Sequence, residues 1–143
     1  MQVLRTIYRY WLALLFLAIV VQIGSAGYGA FYAADKSDPG PMTHHQFDHG
    51  FSFHGGFGSI IILAGILSLL LALAGRQPRR TTMMTLVLAI LLVLQQILAS
   101  VGAGTPAVGT LHPLNAFLIL GLTGRLAVEA WWGTRRASAE PAT

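Results

Sequence analysis

The chain has no cysteine among its 143 residues, and only 10% of them are charged. Without thiols it can form no disulfide, no iron–sulfur cluster and no thiolate metal site. So few charges are also unlike a soluble domain, where about a quarter of residues carry charge. Apolar residues fill the sequence instead, since 55% are hydrophobic and mean hydropathy is +0.65. This composition predicts an integral membrane protein, with residues 1–143 forming a single domain.

Four apolar segments each reach the roughly 20 residues that a helix needs to cross the hydrocarbon core. They predict helices at about 10–32, 53–75, 81–102 and 111–132. The last two are separated by a turn-forming sequence at residues 102–106. The first segment stays uncharged up to Ala34, longer than the apolar core of a signal peptide, so we expect it to remain as a helix. The predicted fold is an all-α integral membrane four-helix bundle.

Arginines flank the predicted helices on one side only. They are Arg5, Arg9, Arg76, Arg79, Arg80, Arg135 and Arg136. Because Lys and Arg concentrate on the cytoplasmic side of membrane proteins, both termini are predicted to be cytoplasmic in a bacterial inner membrane. The loops at 33–52 and 103–110 then face outward. The net charge of +4 therefore reports topology, and no nucleic-acid partner is expected.

The sequence also contains two similar halves. Residues 20–29 (VVQIGSAGYG) and 94–104 (LQQILASVGAG) both end an outward-running helix. After each comes an outer loop, then a polar–apolar–histidine triplet: Ser52-Phe53-His54 in the first half and Thr110-Leu111-His112 in the second. The bundle is therefore predicted to consist of two similar helical hairpins. Their symmetry axis would run along the membrane normal, between the two histidines.

His54 and His112 are both predicted to lie in the first turn of an inward-running helix. An ionisable residue at a membrane helix end is costly enough to indicate a function. Neutral imidazole is an axial ligand of haem iron, and a haem fits between the helices of a bundle. The pair therefore predicts a haem b site. The alternative is two interfacial histidines hydrogen-bonded to loop backbone.

Five further residues are predicted to contact the same cofactor: Gly55, Gly58, Gln22, Gln96 and Asn115. The glycines remove side-chain bulk just inside His54. The two glutamines occupy matching positions in the halves, where hydrogen bonds between helices are their alternative role.

A second group of candidate ligands, His44, His45, Asp48 and His49, lies in the predicted outer loop. Their spacing would suit Zn²⁺ or Cu²⁺ on a helix. Neighbouring prolines and glycines instead favour a mobile, solvated loop. A third role for one of these histidines is to orient a haem propionate or to shuttle protons.

The arrangement of helices and histidines resembles one four-helix half of the haem A synthase family. In that family a histidine opens helix two after a long outer loop, another opens helix four after a short one, and the pair ligates haem. The matching residues are His54 and His112. Phe51-Ser52-Phe53 stands where the catalytic half of the family has a glutamate, and the frequent cysteine pair is absent. The resemblance thus implies haem ligation rather than haem A synthesis.

The segments FHGGFGSIIILAGIL and LHPLNAFLILGL are also similar to a family of small uncharacterised four-helix bacterial membrane proteins. That second resemblance implies no known activity.

The expected function is electron transfer or haem handling at the outer face of the inner membrane, because two histidines would fill both axial positions of the iron. We do not expect an enzyme that acts alone. The expected partners are the lipid bilayer and either other membrane subunits or a redox partner. Two alternatives remain: a cofactor-free structural or assembly subunit of a larger complex, and a metal sensor or carrier that uses the outer histidines.

Overall fold

A computed structural model describes residues 1–37 and 40–139, with side-chain positions through residue 132. The described residues form no strand and five helices: α1 Gln2–Lys36, α2 His44–Ala74, α3 Arg79–Gly104, α4 Pro106–Gly109 and α5 Leu111–Ala139. Four helical segments, the last being Pro106–Trp132, are long and apolar enough to cross a membrane. The protein is therefore an all-α, multi-pass membrane bundle, which confirms the fold class predicted from the sequence.

The four long helices form a square. Helices α1 and α3 each pack against both α2 and α5, whereas the backbones of the two diagonal pairs do not meet within the described part of the chain. The diagonal pairs are α1 with α3 and α2 with α5. Side chains from all four helices therefore converge on the central axis of the bundle.

The half of the bundle that the sequence predicts to lie at the cytoplasmic end has a packed core. Tyr8, Leu12, Leu88 and Leu126 are fully buried there. The Tyr8 hydroxyl and Thr85 Oγ1 are 2.6 Å apart, which ties α1 to α3 across the diagonal. A buried hydroxyl without a partner would cost several kcal/mol in hydrocarbon (on the order of 2–7), so this bond stabilises the pairing of the two diagonal helices.

The helices on the histidine side are longer than predicted. Helix α1 runs to Lys36 and α2 begins at His44, so the predicted loop of 33–52 is wrong and only residues 37–43 connect the two helices. Of these, 38 and 39 lie outside the described residues. Hydropathy had located only the part of each helix that is apolar enough for the hydrocarbon core.

A capping box starts α2. The Thr43 hydroxyl accepts a hydrogen bond from the Gln46 backbone N–H at 3.3 Å, and the Gln46 side chain accepts one from the Thr43 N–H at 2.8 Å. These bonds satisfy backbone donors that the first turn leaves free. His44, His45, Asp48 and His49 are therefore helical, and the prediction that they form a loop was wrong. The sequence Thr-His-His-Gln is a capping-box pattern and could have indicated this helix start. The prediction instead followed the neighbouring prolines and glycines, which favour a loop.

The connection between α3 and α5 folds back on α3. A Cβ atom added to Gly102 would lie 2.6 Å from the Cα of Gly109 in α4, so the two backbones are in direct contact. Side chains at either position would force them apart. This contact turns the chain back along α3, and α5 begins at Leu111, directly before His112, whose ring reaches the backbone of Gln95.

Candidate histidine site between the four helices

The rings of His54 and His112 approach each other across the diagonal between α2 and α5. Their centroids are 6.1 Å apart and their planes make an angle of 67°. His112 lies in the first turn of its helix, as predicted. His54 lies in the third turn of α2, so the prediction that it opens a helix was wrong. The two histidines nevertheless reach the same level, because α2 extends further beyond the site than α5 does.

His54 is oriented by α1. Its Nδ1 lies 3.1 Å from the backbone oxygen of Gln22 and 3.1 Å from Ser25 Oγ. The Ser25 hydroxyl in turn donates to the same Gln22 oxygen at 2.7 Å. A carbonyl oxygen can only accept, so Nδ1 of His54 carries the proton. Its Nε2 therefore has a free lone pair and has no hydrogen bond within the described residues.

His112 is oriented by α3 in the same way. Its Nδ1 lies 3.0 Å from the backbone oxygen of Gln95, which again places the proton on Nδ1. Its Nε2 lies 3.1 Å from the Gln95 side-chain nitrogen, which therefore donates to it. Asn115 is buried behind this pair and donates to Gln95 Oε1 at 2.7 Å and to the Leu91 carbonyl at 2.9 Å.

Gln22 and Gln95 are thus the equivalent residues of the two hairpins, since each receives a histidine Nδ1–H at its carbonyl. The sequence comparison had paired Gln22 with Gln96. Gln96 is exposed and follows Gln95 by one position, a step that turns the side chain by about 100° around the helix. Two adjacent glutamines left the helical phase open in the sequence, and Gln95 is the one that contacts the histidine.

A cavity of about 220 Å³ lies beside the two imidazoles and is partly open to the outside of the bundle. All four long helices contribute to its largely apolar lining. Six of the predicted residues line it, namely His54, His112, Gln22, Gln96, Gly55 and Gly58. Asn115, also predicted to contact a cofactor, is not part of the lining and acts on Gln95 instead.

Gly58 makes room for the Gln22 amide. A Cβ atom at this position would lie 2.9 Å from Gln22 Nε2, which donates to the backbone oxygen of His54 at 2.7 Å. The other end of the amide, Oε1, is buried and has no hydrogen-bond partner within the described residues. Gly55 borders open space, because an added Cβ would meet nothing within 4 Å.

The two histidines fit the ligation of a haem iron. Two imidazoles on opposite faces of one metal, with metal–nitrogen bonds of about 2 Å, have ring centroids roughly 6 Å apart. The separation of 6.1 Å agrees. A metal-bound histidine usually donates its other N–H to a carbonyl or carboxylate, as both do here. The cavity, about 220 Å³, is smaller than the roughly 300–1,000 Å³ of typical ligand pockets, so side chains that line it, Gln95 among them, would have to move before a haem could bind.

The weaker metal site predicted at His44, His45, Asp48 and His49 is not assembled. Within residues 1–37 and 40–139, no three histidine or acidic side chains are close enough together to hold a metal ion. His49 instead packs against Tyr32, with ring centroids 5.5 Å apart.

Comparison with protein families matches residues 22–103 to DUF6220, described as a family of unknown function. The matched segment includes Gln22, His54 and Gln95 and ends before His112. No curated protein and no solved structure matches the chain. Because the match covers more than half of the sequence, the protein belongs to the DUF6220 family.

Proposed function

We propose that this protein binds haem b between His54 and His112 and transfers electrons or handles haem at the outer face of a bacterial inner membrane. One observation carries the proposal: two imidazoles from different hairpins are 6.1 Å apart, and each donates its Nδ1 proton to a backbone carbonyl. That arrangement leaves Nε2, the nitrogen that would bind iron, unprotonated in both rings.

The roles of the protein residues follow from their positions. His54 and His112 would hold the iron from α2 and α5, while Gln22 and Ser25 fix the ring of His54. The apolar lining would exclude water from the macrocycle. A bound haem would supply reversible one-electron chemistry, and two protein ligands to its iron would favour electron transfer over oxygen chemistry.

The proposed orientation has both termini in the cytoplasm and the histidine end of the bundle outside. It is supported by the arginines at the opposite end. Among them, Arg5 of α1 donates a hydrogen bond to the backbone oxygen of Arg76, in the turn between α2 and α3, at 3.0 Å. The side chains of Arg135 and Arg136 lie outside the described residues. The haem A synthase resemblance supports the same ligand pair, and a membrane subunit or soluble redox protein would be the partner.

An absorption spectrum of purified protein tests the proposal. Protein from haem-replete cells should show, after dithionite reduction, the sharp α and β bands of a six-coordinate low-spin haem. His54→Ala and His112→Ala should each remove or broaden those bands. Protein that purifies folded but colourless, and that does not take up added haem, would contradict the proposal.

A second candidate function is that of a cofactor-free structural or assembly subunit. The observation that favours it is the hydrogen bonding of His112, whose two ring nitrogens both have protein partners without any ligand. Under this alternative the unmodified protein has no haem spectrum, and His112→Ala would lower its melting temperature. Thermal unfolding and the reduced spectrum of the same samples separate the two candidates.

A further inference from the structure

We propose that Gln95 occupies the iron-binding nitrogen of His112 until a haem displaces it, so that His54 binds first and His112 is the exchangeable ligand. This inference rests on the proposed haem site and assigns different roles to two histidines that the repeat would make equal.

The asymmetry lies in the side chains of two equivalent glutamines. Both accept a histidine N–H at the backbone carbonyl. The Gln22 amide donates to the backbone of His54 and leaves the Nε2 of that ring without a hydrogen bond in the described structure. The Gln95 amide donates directly to Nε2 of His112 at 3.1 Å. Of these two rings in the described structure, His54 therefore presents a free lone pair to an incoming metal and His112 does not.

Asn115 holds Gln95 in this position. Its amide nitrogen bonds the Leu91 carbonyl at 2.9 Å and Gln95 Oε1 at 2.7 Å, and Asn115 itself is only 6% exposed. Fixing Oε1 turns the Gln95 nitrogen toward His112. The first hairpin has Phe57 rather than an amide near the corresponding level of α2, and no residue there holds Gln22 in the same way.

Displacement has a direct consequence for ligand binding. His54 could accept a metal at Nε2 without breaking a hydrogen bond, whereas His112 would first have to lose its hydrogen bond to the Gln95 amide. Replacing the Gln95 side chain should raise the rate at which His112 becomes a ligand about tenfold. The loss of one hydrogen bond typically changes an equilibrium or rate constant by roughly that factor. Asn115→Ala should act in the same direction with a smaller effect.

The first measurement needs no haem. In ¹⁵N-histidine NMR spectra of the purified apoprotein, His112 should appear as the Nδ1–H tautomer with a hydrogen-bonded Nε2. Gln95→Leu should shift the Nε2 resonance of His112 toward that of a free acceptor and leave His54 unchanged. Gln77→Leu, the same substitution at the turn between α2 and α3, is the matched control and should shift neither ring.

The second measurement follows haem uptake by stopped-flow absorption. Full-length apoprotein should first form a high-spin species and then convert to the low-spin spectrum, and Gln95→Leu should accelerate only that conversion. An unchanged His112 resonance or an unchanged second phase in Gln95→Leu overturns the inference. If the final spectrum of that variant is still that of low-spin haem, the proposed function is not affected. Failure of every variant to bind haem overturns both.

Discussion

The two hairpins build the same hydrogen bond on different scaffolds. In α1–α2, helices interlock far beyond the site: Phe51 packs where a Cβ of Gly29 would be, and Tyr32 does so at Gly50. In the second hairpin, α4 folds back on α3 and α5 begins beside its histidine. Yet both histidines donate Nδ1–H to a glutamine carbonyl on the preceding long helix, α1 for His54 and α3 for His112. The position of each imidazole is therefore set by that helix-to-helix bond rather than by the point where its own helix starts.

The largest expected effect comes from removing the histidines one at a time. If they differ as Gln95 indicates, His54→Ala should lower haem retention during purification more than His112→Ala does, because the Gln95 side chain competes for the remaining ligand. His112→Ala should keep part of the haem in a high-spin form. Haem content per protein and the reduced spectrum measure both. Equal losses in the two variants would make the hairpins functionally equivalent.

The fold-back of the second hairpin should be the next most sensitive feature. Gly102→Ala places a Cβ against the Gly109 backbone, which cannot rotate away as a side chain can, so we expect a loss of about 1–3 kcal/mol in stability. Thermal unfolding in detergent measures it. Gly24→Ala is the matched control, since nothing lies within 4 Å of its Cβ. Equal melting temperatures for the two variants would show that α4 can move away from the added Cβ atom without loss of stability.

Thr43→Ala tests the first hairpin at the start of α2, away from the histidine site. Removing the capping hydroxyl should cost about 1 kcal/mol and increase hydrogen exchange in the first turn of α2. The haem spectrum should not change, because His54 lies two turns further along the helix and is held by α1. A spectral change would show that the capping box positions the site.

The smallest effect on the cofactor is expected from replacing His44, His45 and His49 together with alanine. The structure assembles no metal site from them, so haem content should stay close to that of the unmodified protein. At most, weak binding of divalent metal ions should disappear. Loss of haem in this triple variant, with His54 and His112 intact, would mean that the ligands have been assigned to the wrong histidines.

The sequence was sufficient for the features that depend on long apolar runs and on residue type. The four spans and the pairing of His54 with His112 could be predicted, because a bundle brings similar positions of its hairpins to one level. The helix ends could not, since α1 and α2 continue as polar helices past the apolar segment. Gln95 could not be distinguished from Gln96, because only the rotational phase of α3 decides which amide faces the centre.

The site is off-centre between Tyr10 and Tyr28 of α1, two aromatic residues of the kind that favour a membrane interface. At 1.5 Å per residue, Gln22 lies about 18 Å from Tyr10 and about 9 Å from Tyr28. An electron entering from the histidine end would therefore cross only about a third of the span. A full crossing changes the energy of a unit charge by about 2.3 kcal/mol per 100 mV. If the proposed haem is bound there, the membrane voltage should consequently shift its apparent midpoint potential, measured against a donor at that end, by about a third of the voltage.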